Sequence, residues 1–534
     1  MAHSPPCRLL FSLLLLLLLS LSTLASSFNF HAIPKPKPKP IEASIAPAPS
    51  PYPPVPSAPL PILLACNATR FRSLCVSTLT SHSPPLGSPI PRSLLSISFS
   101  ASLSSILPAI STAKSIFSHS SNNANLSNAA SNCIELLTLS SHRLATASKL
   151  ISLPSARIHS SAALLYQYDC WSSYKYVNDS KTISDAMAFL ANNLTAQTSN
   201  IVSMLAAMER YGNDTSLWTP PQTERDGYWP KAASSRFSAW SGMTGVPTWL
   251  KPNVTVCKTG TCKYHTVQKA VDAAPKKASK WYVVYIKAGV YEETVRVPSE
   301  KTNVVFVGDG MGRTVITGSL NADMVGVSTY NTATVGIQGD GFMARDLTFE
   351  NTAGPNAHQA VAFRSDSEGS VLDSVEFVGH QDTVYAHSMR QFYTNCRILG
   401  TLDFIFGNSA SVFHNCSILV VPRQLNPHHG EENSTAHKVY LGRPWKEYSR
   451  TVFINCSMDR IIRPEGWLPW KGDFALKTLY YGEYGSSGPG GNVTGRVPWS
   501  SQIPPEHLAI YSVENFIQGD QWIPNYKGRK YVRR

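Results

Sequence analysis

The chain has 534 residues, of which 43% are hydrophobic and 15% charged, and a net charge of +13 at pH 7. That length exceeds one ordinary core, so at least two domains are expected. The basic balance suits a polyanionic partner. Without a recognition module for nucleic acid, an exported chain of this kind points to an acidic polysaccharide instead.

Residues 1–26 read as a secretory signal: Arg8, an apolar run over 9–21 with leucine throughout 13–19, then the small residues Ala25 and Ser26. The run is short for a membrane span. No later stretch reads as long and apolar enough to cross a bilayer, so a soluble, secreted mature protein is expected, with no membrane contact. Export permits disulfides. Cys7 departs with the signal, leaving nine cysteines, and an odd count fits a free thiol. N-x-S/T sequons fall at Asn67, Asn125, Asn178, Asn193, Asn213, Asn253, Asn415, Asn433, Asn455 and Asn492; those at Asn415 and Asn455 lie in predicted strands and are expected to be poorly accessible.

Residues 27–62 form a Pro-rich spacer in which Pro34 to Pro40 alternate with lysine, an extended polyproline segment. Over 63–213 Ala, Ser and Leu dominate, with Ile134, Leu137, Leu144 and Leu150 at helical intervals. A small helical bundle fits. Its four cysteines allow three pairings, of which Cys66–Cys75 with Cys133–Cys170 is the simplest. No catalytic constellation is visible in this half. Residues 214–251 form a connector rich in Trp, Pro and Ser, and 252–534 turn rich in Val, Ile, Gly, Asn and Thr, as strands and tight turns require. The glycines of Gly308-Asp309-Gly310 and Gly339-Asp340-Gly341 mark turns rather than a phosphate loop.

Within this last region a strand register recurs at Phe349, Phe377, Ile398, Ile418 and Met458, at intervals of 28, 21, 20 and 40 residues. A period near 20 is the signature of a parallel β-solenoid, in which residues one period apart stack about 4.8 Å from each other. Cys396 and Cys416 share that register and are expected to form a disulfide, leaving Cys456 unpaired. Two pairs of polar residues share it as well: Asp382 with Asp403, 21 apart, and Gln359 with Gln381, 22 apart.

Two carboxyls held close cannot easily both ionise, so one pKa rises and the other falls, giving a general acid beside a charged nucleophile. Two neutral amides nearby could receive the charge that develops on a carbonyl oxygen. The set reads as acyl chemistry on an ester. Competing chemistries are weak: there is no G-x-S-x-G elbow, the His428-His429-Gly430-Glu431-Glu432 run lacks the spacing of a metal-binding helix, and Asp382-Thr383-Val384 lacks the glycine of an aspartic protease motif.

These residues sit in a series of motifs: Gly289-Val290-Tyr291-Glu292-Glu293, Gln359-Ala360-Val361-Ala362, Gln381-Asp382-Thr383, Asp403-Phe404-Ile405-Phe406-Gly407 and Leu441-Gly442-Arg443-Pro444-Trp445. In them the chain resembles the plant pectin methylesterases, and its earlier half resembles their inhibitor-like pro-region, over roughly residues 66–525. The resemblance implies a right-handed parallel β-helix catalytic domain preceded by an all-α four-helix-bundle inhibitor-like domain. It further implies a monomeric cell-wall enzyme that hydrolyses galacturonate methyl esters in pectin, with no metal or cofactor, and inhibitor proteins as conceivable partners. Asp403 would be the nucleophile, Asp382 the acid and then base, Gln359 and Gln381 the oxyanion donors, and Arg443 the group that keeps Asp403 ionised. Trp445 and Thr329 would contact substrate.

Three departures from the family pattern stand out. His380 replaces the usual Tyr before the Gln381 motif. The connector offers only Arg236 where a dibasic processing signal is usual. Cys257 and Cys262 are additional and are expected to close a small loop. Two rivals remain: a binding protein whose esterase domain is permanently occluded by the uncleaved bundle, and a pectate lyase, which would need a Ca²⁺-binding acidic cluster and a basic proton abstractor that the sequence does not assemble.

Overall fold

The computed structural model describes residues 58–82, 90–177, 179–232, 245–421 and 438–524. The predicted signal, most of the Pro-rich spacer, Arg236 and the His428-His429 run lie outside the described residues.

In the helical half, α1 (Leu60–Cys66) and α2 (Arg72–His82) form a hairpin tied by the Cys66–Cys75 disulfide. The bundle proper is α3 (Pro91–Ser118), α4 (Ala124–Ala147), α5 (Leu153–Tyr174) and a fourth rod in which α6 (Lys181–Phe189) passes through a π turn into α7 (Thr195–Tyr211). Short polar side chains begin three of them: Asn123, Ser152 and Ser180 each accept from a backbone N–H of the first turn that the helix itself cannot satisfy. Leu137 and Leu144 are fully buried, Ile134 and Leu150 pack at the edge of the same core, and Cys133–Cys170 links α4 to α5, as the spacing suggested. One expectation fails: α3 is long and apolar enough to span a bilayer. Its Leu94, Leu95, Phe99, Ile106 and Ile116 lie instead in the bundle core, and a core helix meets the same length and composition test.

The second half is a parallel β-helix. Strands such as Met343–Asn351, Ser370–Val378, Arg390–Thr394 and Ala410–His414 stack in one sheet. A second sheet runs Val295–Val297, Val335–Ile337, Phe363–Ser365, Val384–Ala386, Ile405–Phe406. All of these pairings are parallel. Phe349 pairs with Phe377, Phe377 with Ile398 and Ile398 with Ile418, the register read from the sequence. The interior is an aromatic column: Phe349 stacks on Phe363 at 5.1 Å, Phe377 packs against both, and Tyr393 stacks on Phe413 at 4.4 Å. Met458 does not continue the register. It follows Arg450–Ile454, which pairs with Tyr480–Tyr484 in a separate three-stranded sheet.

The cysteine expectation is corrected here. Cys257–Cys262 is bonded and Cys456 is free as read, but Cys396 and Cys416 are also free thiols. Their strands are in register, with Arg397 opposite Ser417. In-register neighbours on parallel strands carry Cβ atoms about 4.8 Å apart and pointing the same way, wider than the roughly 3.8 Å that a disulfide prefers. The sequons at Asn415 and Asn455 are corrected too: both residues are exposed in left-handed turns (φ 49° and 52°) just outside the strands. Asn415 Nδ2 donates to Asn395 Oδ1 at 2.7 Å, and Asn395 donates in turn to Asp373, so stacked polar side chains link successive coils along this turn.

Candidate active site

Asp382 and Asp403 lie at equivalent places on consecutive coils, each just ahead of a strand of the second sheet. Val384 pairs with Ile405, Asp382 N–H donates to the Leu402 carbonyl at 3.1 Å, and Val384 N–H to the Phe404 carbonyl at 2.9 Å. Both aspartates have left-handed backbone, φ 67° and 48°, a conformation that Asp tolerates better than most residues and that tends to collect at functional positions. The spacing therefore does what it implied. The two carboxyls share one face.

Their surroundings differ. Arg443 donates through Nε to Asp403 Oδ1 at 2.9 Å and through Nη2 to Asp403 Oδ2, a two-pronged hold that fixes the carboxyl's orientation. Asp382 is almost wholly buried, and its Oδ1 has no hydrogen-bond partner. Burial first, and then the neighbouring Asp403 charge, push its carboxyl well above the usual range, against a smaller opposing pull from Arg443. The two carboxyls thus sit in unlike surroundings: burial favours the protonated form of Asp382, while Asp403 is engaged by a guanidinium.

Gln359 and Gln381 border the pair. Ala360 N–H donates to the Gln381 carbonyl at 3.1 Å, which fixes one coil on the next. Both side chains are half-buried, and neither amide hydrogen-bonds another side chain among the described residues, so their N–H groups remain available. Trp445 is 37% exposed, with its ring 5.3 Å from Phe406 and 5.8 Å from Trp470. Thr329 opens a 3-10 turn (Thr329–Asn331) farther along the same sheet and uses its carbonyl to accept from Thr332. His380, the departure from the family pattern, keeps a lowered pKa through burial, and its Nδ1 has no partner.

Several residues of this surface escaped the sequence reading. Tyr385 stacks on Phe406 at 4.1 Å; the two are 21 residues apart, so the aspartate spacing could have found them. Trp470 lies 4.6 Å from the Arg443 guanidinium, a cation–π contact with no periodic signal because it comes from outside the coils.

The largest omission is the bundle's position: α4 and α5 lie on the β-helix beside this face. Arg143 of α4 makes a two-pronged ion pair with Asp340, both bonds 2.8 Å, and also donates to the Asp366 carbonyl. Burial alone would raise the Asp340 carboxyl, but Arg143 takes it down to about 2. Asn132 exchanges amide hydrogen bonds with Asn331, Glu135 accepts from Tyr330, and Tyr166 hydrogen-bonds Ser388. From α5, Asp169 accepts from His387 Nε2 at 2.7 Å, while His387 Nδ1 bonds Asp366. Lys446, next to Trp445, sits with its Nζ 2.9 Å from the Tyr168 ring centroid. The helices thus hold residues on both sides of the predicted substrate contacts Thr329 and Trp445.

A family model described as pectinesterase matches residues 253–436 and 422–520, and one described as plant invertase/pectin methylesterase inhibitor matches residues 62–204. The chain belongs to the pectinesterase family. It is 48% identical over 506 residues to a protein of Arabidopsis thaliana described as "Probable pectinesterase/pectinesterase inhibitor 64", covering 86% of this chain and 84% of that one. It is 35% identical to pectinesterase/pectinesterase inhibitor PPE8B of Prunus persica, over 81% of this chain and 88% of that one. Among solved structures, the pectin methylesterase from carrot is 41% identical with a TM-score of 0.50, and it covers 54% of this chain and 99% of its own. The carrot pectinesterase chain therefore corresponds to the β-helix half alone.

Proposed function

We propose that the β-helix hydrolyses the methyl esters of galacturonate in pectin after export to the plant cell wall, and that the docked bundle restrains it. The observation that carries the reading is the pairing of a buried Asp382, whose pKa burial raises, with an Asp403 gripped by Arg443. The Asp403 oxygen attacks the ester carbonyl, and the Gln359 and Gln381 amides receive the charge on its oxygen. Asp382 gives its proton to the departing methanol, leaving an anhydride on Asp403. The ionised Asp382 then takes a proton from water, whose oxygen attacks the anhydride and frees both the acid product and Asp403. Trp445 offers an aromatic face to a sugar ring, and Thr329 marks a more distant contact.

The bundle contacts at Tyr330, His387 and Lys446 support restraint of this groove by the chain's own pro-region. They equally favour the second reading, an intact chain that stays inactive and serves as an inhibitor or wall-binding protein. Methanol release from highly esterified pectin separates the two. Residues 245–534, the half to which the carrot chain corresponds, should release methanol, the Asp403→Ala version of that piece should not, and the full chain should be slower than the piece. A folded 245–534 piece that releases none would end the esterase reading.

A further inference from the structure

One sequon does double duty in the fold. Asn125, in Asn125-Leu126-Ser127, stands in the first turn of α4, just after the Asn123 cap that accepts from Leu126 N–H at 3.0 Å. It is exposed, yet it is also part of the seam: its Oδ1 accepts from Gly326 N–H of the β-helix at 2.8 Å, across 201 residues of sequence. Its Nδ2 donates to nothing among the described residues, so one end of the amide is spent on docking and the other is unused.

Gly326 belongs to a loop pinned by tight turns. Met324 N–H donates to the Asn321 carbonyl at 3.3 Å, and Val327 N–H to the Met324 carbonyl at 3.2 Å. With φ 76°, Gly326 brings the loop so near α4 that a Cβ there would lie 3.3 Å from Ala124 Cβ. The two residues before it, Met324 and Val325, are 42% and 76% exposed. An apolar loop tip beside the unused nitrogen of a sequon is a surface that a sugar on that nitrogen would cover.

We propose that Asn125 carries an N-linked glycan whose first N-acetylglucosamine lies against Met324 and Val325, so that the sugar acts as a strut between α4 and the β-helix. The transfer precedes docking. In the secretory pathway the sequon's Nδ2 displaces the lipid pyrophosphate from a lipid-linked oligosaccharide: the Nδ2–C1 bond forms as the C1–O bond breaks, and one Nδ2 proton passes to a base of the transferase. The product is still an amide. Its Oδ1 keeps its lone pairs for Gly326 N–H, so modification and docking are compatible. The acetyl methyl and ring C–H groups of the sugar meet the loop tip only when the bundle is seated. Less apolar surface then faces water in the closed chain than in the open one, and the sugar favours closure whatever the groove catalyses.

The test uses the full chain secreted from yeast. After trimming with an endoglycosidase that leaves the first sugar, mass spectrometry should find the Asn125 peptide heavier by one N-acetylglucosamine. Amide hydrogen exchange then reads the contact. Residues 321–328 should exchange about fivefold faster in Ser127→Ala, which abolishes the sequon but keeps the Asn125 amide; that is the effect of returning roughly 40 Å² of apolar surface to water. Ser127→Thr rebuilds the sequon and should restore wild-type exchange. Asn213→Gln, which deletes the exposed sequon in the turn after α7, should leave these amides unchanged. An unmodified Asn125 peptide overturns the site. A modified peptide with the same exchange in Ser127→Ala as in the wild type, or an equal change in Asn213→Gln, overturns the strut. Neither readout involves methanol release, so the esterase reading stands or falls separately.

Discussion

In the mechanism proposed above Asp382 does two opposite things in one cycle, and its setting favours the first of them. Burial first, and then the Asp403 charge, raise its pKa, which favours the protonated form that the proposed acid role needs. Replacing Asp382 with Asn keeps the volume and removes the transferable proton. Methanol release should fall by about 10²–10⁴-fold, the usual contribution of a positioned acid or base, while the KM changes far less. A fall of only a few fold would place the proton donor elsewhere. The residue scale is also where the sequence was most legible. A 21-residue interval sufficed to put Asp382 beside Asp403, because a solenoid converts sequence period directly into distance. The same logic misled at Cys396 and Cys416: period fixes which residues are neighbours, but a disulfide also needs Cβ atoms drawn together, and in-register parallel strands hold them apart.

At the scale of the element, the two aspartates depend on how tightly one coil seats on the next. Gly407 ends the strand that carries Asp403's motif, with φ 133°, and a Cβ there would overlap the Ala386 carbonyl oxygen of the coil below. That carbonyl already accepts from Ser409 N–H at 3.2 Å. Gly407→Ala therefore forces the Ile405–Phe406 strand away from Val384–Ala386, and the Asp382–Asp403 separation moves with it. We expect such a chain to remain folded through its aromatic column yet to lose most of its esterase activity, read as retained far-ultraviolet dichroism with methanol release down at least tenfold; a displacement near 1 Å can cost about 10²-fold in rate. Full activity in Gly407→Ala would mean that the coil contact is slack. The strands themselves announced this arrangement, since their apolar alternation and turn residues repeat. Trp470 and the three-stranded sheet around Tyr480–Tyr484 did not, because the chain leaves the period there and no spacing relates them to the coils.

For the whole molecule, the bundle's seat depends on groups that titrate. Burial by itself lowers the His387 pKa, but Asp366 and Asp169 outweigh it and raise the value to about 9 in the closed chain. Opening removes Asp169 and also relieves part of the burial that lowers the value; with Asp366 still in place, we expect the loss of Asp169 to be the larger change, so that the open form holds that proton less firmly. Closure then takes up a proton: it is favoured at lower pH and weakens as pH climbs toward 9. Other groups at the contact act against this. Lys446, lowered to about 8 chiefly by burial, makes closure easier above 8, while His142 and His159, both lowered mainly by burial, make it harder below 6.5. Tyr166, Tyr330 and Tyr385 also face His387 and stay neutral across this range, and Arg364 lies behind them against Tyr330 and Asp366. Between pH 6.5 and 8 the His387 effect stands clear. The rate of the full chain relative to residues 245–534 should rise over that window, and Asp169→Asn should flatten the rise; a flat wild-type ratio would remove His387 from the closure balance. Nothing in the sequence could have shown this contact, since Arg143 and Asp340 are 197 residues apart and belong to no repeat.

The first part of the connector, residues 214–232, is anchored rather than free. Glu224 pairs with Arg450, Arg225 donates to the Trp499 carbonyl, and Trp229 stacks on His507 at 4.1 Å, so the segment after the bundle is already fastened to the far end of the β-helix. A protease that severs the chain between the halves would break none of the bonds that hold α4 and α5 in place. It would only change the rule that governs them. Before the cut, the bundle competes for the groove at the high local concentration of a tethered ligand, on the order of millimolar; afterwards it is a separate inhibitor whose grip depends on how much of it remains nearby. Under the restraint proposed above, switching the esterase on is a matter of dilution, and the severed bundle becomes free to find the groove of another copy.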